Sequence, residues 1–287
     1  MDLYPTGSSN ITTEMLEILN YEFMQNALLA GLLVSIACGL MGSLVVVNRI
    51  VFLSGGIAHA SYGGIGLAFY AGFSPYLGAA GAALISALLM GAVTRSRKQR
   101  IDTVIGVIWA VGMSAGVILM DLTPGYNVDL MSYLFGSILM VPKSSLLTMT
   151  GMNGAILLMI FLFYKDFLAM SYDEEFAAAM GVPVLPLYFA LLVMVALTVV
   201  MTIQVVGLIL VIALLTIPSY LAEKYSNSLK KMMILAIIIS IFITQSGIWL
   251  AFQLNLSTGA TIVLVGALLF FISGIVSALQ ASMVKES

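Results

Sequence analysis

Nearly the whole chain is divided into long apolar runs separated by short polar breaks, and this pattern restricts what it can fold into. The runs lie at approximately 23–47, 57–73, 76–94, 104–122, 145–164, 184–203, 205–222, 232–252 and 258–279. A helix needs about 20 apolar residues to cross a bilayer. Composition supports a membrane solvent: 61% of the 287 residues are hydrophobic and only 8% are charged, where a soluble domain carries about 25% charge. So apolar a chain has too few polar groups to cover a water-facing surface, and it is the opposite of a disordered composition. The net charge of −2 excludes a nucleic-acid binder, which would show a basic face. The fold class is therefore all-α, a polytopic transmembrane helix bundle of about nine spans.

Two segments keep the count open. The 205–222 run follows its predecessor with almost no loop and is interrupted by Pro218, so eight spans is the alternative. The 131–141 segment is too short to span and precedes Pro142; it reads as re-entrant or interfacial.

Basic loops stay in the cytoplasm. With the N-terminus outside, the inner loops hold Arg49, Arg95, Arg97, Lys98, Arg100, Lys165, Lys224, Lys230, Lys231 and Lys285, and only Lys143 falls outside. The expected organisation is an extracytoplasmic tail at 1–22, a membrane domain at 23–280 with a cytoplasmic segment at 165–183, and a cytoplasmic tail at 281–287. Residues 1–22 carry Asp2, Glu14, Glu17 and Glu22, no lysine or arginine and no apolar core, so they do not read as a secretory signal. The single cysteine, Cys38, permits no intrachain disulfide.

Small residues recur every four positions in two runs: Gly31, Ser35, Gly39 and Ser43, then Ala60, Gly64, Ala68 and Gly72. Gly112 and Gly116 repeat the idea. Such stripes let helix backbones approach closely in lipid, so they argue for a compact bundle rather than for an activity.

Ionisable residues within a membrane are costly and are functional candidates by default. His59 is the clear case. Its neighbours on the helix surface are Gly55, Gly56, Tyr62 and Gly63, with Gly66 continuing the face, so the imidazole looks onto a surface with few side chains. That leaves room for another helix or for a substrate; the bland reading is a neutral histidine bonded to a backbone carbonyl. Gln245 and Ser246 read as interhelical hydrogen-bonding groups. Asp121, Tyr126 and Asp129 read as outer-loop residues.

Enzyme signatures are missing. No GxxxxGK[ST] loop or HExxH occurs, and one histidine cannot build a multi-histidine site. Ser54 and Ser61 lie near His59 in sequence but not three or four residues away on its face. In the cytoplasmic segment, Asp173, Glu174 and Glu175 open an alanine-rich stretch that Gly181 closes. Acids suit a helix N-terminus and glycine a C-cap. A short helix is expected there, with Phe176 as an apolar knob for a soluble partner.

Three blocks, in order and spacing, resemble the membrane permease subunit of metal-ion ABC importers, the zinc, manganese and iron class. They are "RIVFLSGGIAHASYGG" from Arg49 to Gly64, "DEEFAAAMGVP" at 173–183, and "VVGLILVIALLTIPS" at 205–219. The likeness covers roughly residue 20 onward. It implies a permease powered by a separate cytoplasmic ATPase dimer, fed by an extracytoplasmic metal-binding protein, and paired with a second permease copy or a related one. It implies no tightly bound cofactor, the divalent metal being cargo, and a location in a bacterial or archaeal cell membrane among lipid. His59 occupies the position of a metal ligand on the translocation path, with Tyr62 beside it. Many family members carry an aspartate where this chain has Gly55. Asp173, Glu174, Glu175, Phe176 and Gly181 match the helix that couples to the ATPase. A permease for a metal chelate such as haem or a siderophore is the nearer alternative, although the "AHA" histidine favours a free ion. An ion-driven secondary transporter would need charges deep in the spans, and a membrane enzyme is the least supported class.

Overall fold

The computed structural model describes residues 20–96, 101–124, 136, 138, 141–208 and 211–285. Among these the regular structure is entirely helical. The helices are α1 (Glu22–Val47), α2 (Val51–Ala71), α3 (Pro75–Ser96), α4 (Ile101–Asp121), α5 (Lys143–Tyr172), α6 (Glu174–Ala179), α7 (Val184–Val206), α8 (Val211–Lys224), α9 (Leu229–Leu254) and α10 (Thr258–Lys285). Seven of them, α1, α3, α4, α5, α7, α9 and α10, are long and apolar enough to cross a membrane. The other two sizeable helices match apolar runs as well. α2 has 21 residues, about 31 Å of helix, but glycine, serine, histidine and tyrosine dilute its hydropathy. α8 has 14 residues, about 21 Å.

Three boundaries differ from the apolar runs for physical reasons. α2 starts at Val51 rather than at 57, because Ser54, Gly55 and Gly56 are buried against other helices and need no apolar side chains. The 205–222 run is broken where Gly207 takes a left-handed φ of +82°, and the helix resumes at Val211. α5 runs for 30 residues, with non-helical φ/ψ at Phe163, and ends only at Tyr172. Residues 165–172 of the expected cytoplasmic segment therefore prolong a membrane helix. Of the 131–141 segment, Ile138 is fully buried. Gly136, at φ +73°, lies so close to α7 that a Cβ would sit 2.8 Å from the Val205 carbonyl oxygen. These described residues are tucked into the bundle. Tyr126, Asp129, Arg97, Lys98, Arg100 and the tail before residue 20 lie outside the described residues.

Two packing groups emerge. α2 packs against α3 and α4, whereas α1 packs against α8 and α9, and α7 touches both groups. The small-residue stripes make these seams. Gly31 faces Ile248 and Thr244 of α9, and Gly39 faces the Ile237 backbone. On α2, Gly64 meets the backbone of Gly78 in α3 directly, and Gly78 meets Gly64 in turn. Packing without side chains between backbones is what holds helices together where lipid removes the hydrophobic drive.

Candidate translocation site

His59 sits within α2 and is 6% exposed. The ring does not face open space. The indole of Trp109, from α4, lies parallel to it with ring centroids 4.0 Å apart and planes 8° apart. His59 Nδ1 is buried without a hydrogen-bond partner. That is an unusual state for a polar atom, since an unsatisfied buried group costs about 1–3 kcal/mol. The backbone-carbonyl bond expected of a packing histidine is not made by this nitrogen.

The bare glycine face around His59 has an occupant. A Cβ at Gly63 would stand 2.9 Å from the Gly112 carbonyl oxygen, and Gly66 meets the Gly116 backbone. α4 therefore fills the room that the sequence left open, and the bareness gives no argument for a second chain there. Tyr62 faces the same helix; it is 1% exposed and its hydroxyl donates to Met120 Sδ at 3.4 Å. Gly55 points elsewhere, toward the side chain of Ile212 in α8. The structure thus brings His59 and Tyr62 onto α4 and separates them from Gly55. Ser54 and Ser61 donate to the carbonyls of Val51 and Ala58 in their own helix, so neither is a nucleophile paired with His59. Among the described residues no group of three or more His, Cys, Asp or Glu side chains could hold a metal ion.

One end of α2 opens into a polar cavity of about 510 Å³ lined by Asn48, Arg49, Phe52, Arg95, Asp102, Ile105, Glu174 and Tyr188, among others. Arg49 adopts φ +57°, which lets the chain reverse between α1 and α2. The family model for the ABC 3 transport family matches residues 20–277. The chain belongs to the ABC 3 transport family. It is accordingly a multi-pass membrane component of an ABC transporter and not itself an enzyme.

Relatives in the family cover nearly the same length. A membrane protein of Synechocystis, itself uncharacterised, is 51% identical over 259 residues, 90% of this chain and 92% of that one. The manganese transport system membrane protein MntC of Halalkalibacterium halodurans is 31% identical over 262 residues, 91% of this chain and 90% of its own. Among solved structures, PsaBC from Streptococcus pneumoniae superposes with a TM-score of 0.82 at 32% identity, covering 92% of this chain and 95% of that one.

The segment from Asp173 to Gly181 is built as its sequence demands. Asp173 caps α6 by accepting from the Phe176 amide at 2.9 Å, and Gly181 closes the turn with φ +86°. Ala177 is buried, while Phe176 is 64% exposed. Glu175 is exposed. Glu174 pairs with Arg95 at the end of α3, and the Arg95 guanidinium lies 4.4 Å over the Tyr188 ring of α7. Asn48 ties the α1–α2 corner to the end of α5 by donating to Ser171 at 2.9 Å. Sequence reasoning missed Trp109 and the Arg95–Glu174 pair. For Trp109 a signal existed: it is one of two tryptophans, set four residues from Ile105 and Met113 in an otherwise aliphatic helix.

Proposed function

We propose that the chain is the permease of an importer for a divalent transition metal ion, manganese foremost, with His59 as a ligand along the path. The observation that carries this reading is a buried imidazole whose Nδ1 has no partner, in a chain whose relatives include manganese transport membrane proteins. Neutral imidazole suits zinc, manganese and ferrous iron. With Gly55 offering no carboxylate, one histidine from each of two permease copies, completed by water or carbonyl oxygens, makes a weak site. Weak binding fits transit, since the ion must leave as well as enter. The ion is cargo, and no resident cofactor is required.

The same reading has nine crossings, with the N-terminus outside and the C-terminus in the cytoplasm. The Arg95–Glu174 and Lys143–Glu22 pairs support α2 as a crossing, because an even number of spans, two between the first partners and four between the second, leaves each pair on one side. The segment from Asp173 to Gly181, with Glu174, Glu175 and exposed Phe176, docks a cytoplasmic ATPase dimer, and an extracytoplasmic metal-binding protein delivers the ion.

The test is paired. His59→Ala should abolish most uptake of radiolabelled manganese while the amount of membrane-assembled protein stays normal. Unchanged uptake at unchanged protein level would falsify the ligand role. A fall in protein level matching the fall in uptake would make His59 a packing residue.

A further inference from the structure

Trp109 belongs to no block that carries the family resemblance, yet it makes the closest ring contact of the candidate site. Its indole covers one face of the His59 imidazole. A metal ligates imidazole in the plane of the ring, so a stacked indole leaves the nitrogens free while fixing their direction. The indole is itself held: Nε1 donates to Met113 Sδ at 3.1 Å, and Phe52 packs against it with ring centroids 6.1 Å apart.

The position of this pair relative to the polar cavity gives it a second consequence. Phe52, Asp102 and Ile105 line the cavity. On α4, Asp102, Ile105 and Trp109 follow one another at spacings of three and four residues, so they run along one helix face. On α2, Phe52 and His59 are seven residues apart on one face, and the turn between them holds Gly55 and Gly56. The faces that line the cavity thus continue inward to Trp109 and His59. From the cavity, Phe52, Trp109 and the imidazole follow one another as a row of rings, beside a glycine turn packed by Ile105, Met90 and Ile212.

We propose that Trp109 is the inner lid of the His59 site: stacked, it shuts the imidazole from the polar cavity, and turned aside, it lets the ion descend. Phe52 backs the lid on the cavity side. The proposal rests on the reading of His59 as a ligand for its purpose, but the shielding can be measured apart from it.

His59 is the chain's single histidine, so its carbethoxylation by diethyl pyrocarbonate can be followed by peptide mass in the full chain assembled with its ATPase in membrane vesicles. With Trp109 present the reaction should be slow. Trp109→Ala should speed it about fivefold, the factor set by losing one stacked aromatic pair. Trp109→Phe, which keeps a ring over the imidazole, should restore most of the slow rate. If Trp109→Ala does not assemble, Trp109→Leu keeps bulk without an aromatic face and should also react faster. Equal rates in native, Phe and Ala or Leu forms would overturn the lid. Manganese added to the opened variant separates the two readings. Protection of His59 by the ion supports both; faster but unprotected modification supports the lid and strikes the ligand role alone.

Discussion

The seam between α1 and its neighbours and the seams of α2 with α3 and α4 are both made from small residues, yet they are fastened differently. Along α1, polar side chains bond across helices. Ser35 donates to Thr244 at 3.0 Å, Cys38 and Thr202 meet at 3.4 Å, Gln245 donates to the Leu28 carbonyl at 2.9 Å, and Asn153 donates to the Leu33 carbonyl at 2.9 Å. Along α2 the serines bond back into their own helix, and the Tyr62 hydroxyl reaches only a methionine sulfur, a weak acceptor. Interhelical hydrogen bonds fix one axial register, because sliding strands polar groups in an apolar medium. Backbone contact through glycine carries a smaller penalty for sliding. The half that holds His59 is therefore smooth, and the half without it is pinned. The transit role proposed for His59 suits the smooth side, where opening and closing strands fewer polar groups.

The harshest way to break this comparison is to roughen the α2 seam. Gly64→Leu drives a side chain into the Gly78 backbone, an overpacking beyond the ~1–3 kcal/mol of ordinary cases. Folded protein recovered from detergent by gel filtration should nearly vanish. Gly81→Leu, where nothing lies within 4 Å, should be recovered normally, and equal losses at the two sites would end the packing argument. A gentler cut tests the pinning. A double-mutant cycle between Ser35→Ala and Thr244→Ala should give a coupling of about 0.6 kcal/mol in a denaturant titration of the solubilised protein. Tyr62→Phe should cost less than that coupling; a larger loss would show that α2 is pinned as well. The smallest effect is expected at the partly exposed Arg95–Glu174 pair. Glu174→Gln should cost about 0.2 kcal/mol in stability, the low end for a partly exposed pair, and less at high salt.

Much of this was legible because the bilayer simplifies the code. Run length marked every described long helix, and the four-residue stripes marked the faces that approach closely. Asp173 and Gly181 announced the ends of α6, since capping is local chemistry. What escaped the sequence was partnership. Periodicity says that Gly63 and Gly66 share a face with His59, but not that Gly112 and Gly116 fill it, and nothing local joins Trp109 to a histidine 50 residues earlier. The end of α5 escaped for another reason. Lys165 and Asp166 mark where the chain leaves the apolar run, and a helix continues past that level without difficulty. The free Nδ1 of His59 was invisible because satisfaction of a polar atom is a property of the whole site.

The mutual contact of Gly64 and Gly78 acts as a fulcrum once lengths are assigned to it. Along α3, Arg95 lies about 26 Å from Gly78; along α2, His59 lies about 8 Å from Gly64. For a rigid tilt of the two helices by about 5° around the contact, those arms carry Arg95 about 2 Å and His59 about 0.7 Å. The Glu174 pairing puts the long arm beside α6. The helix pair is geared down about threefold, so a coarse stroke at the α6 end reaches the imidazole as a displacement smaller than an ion's radius.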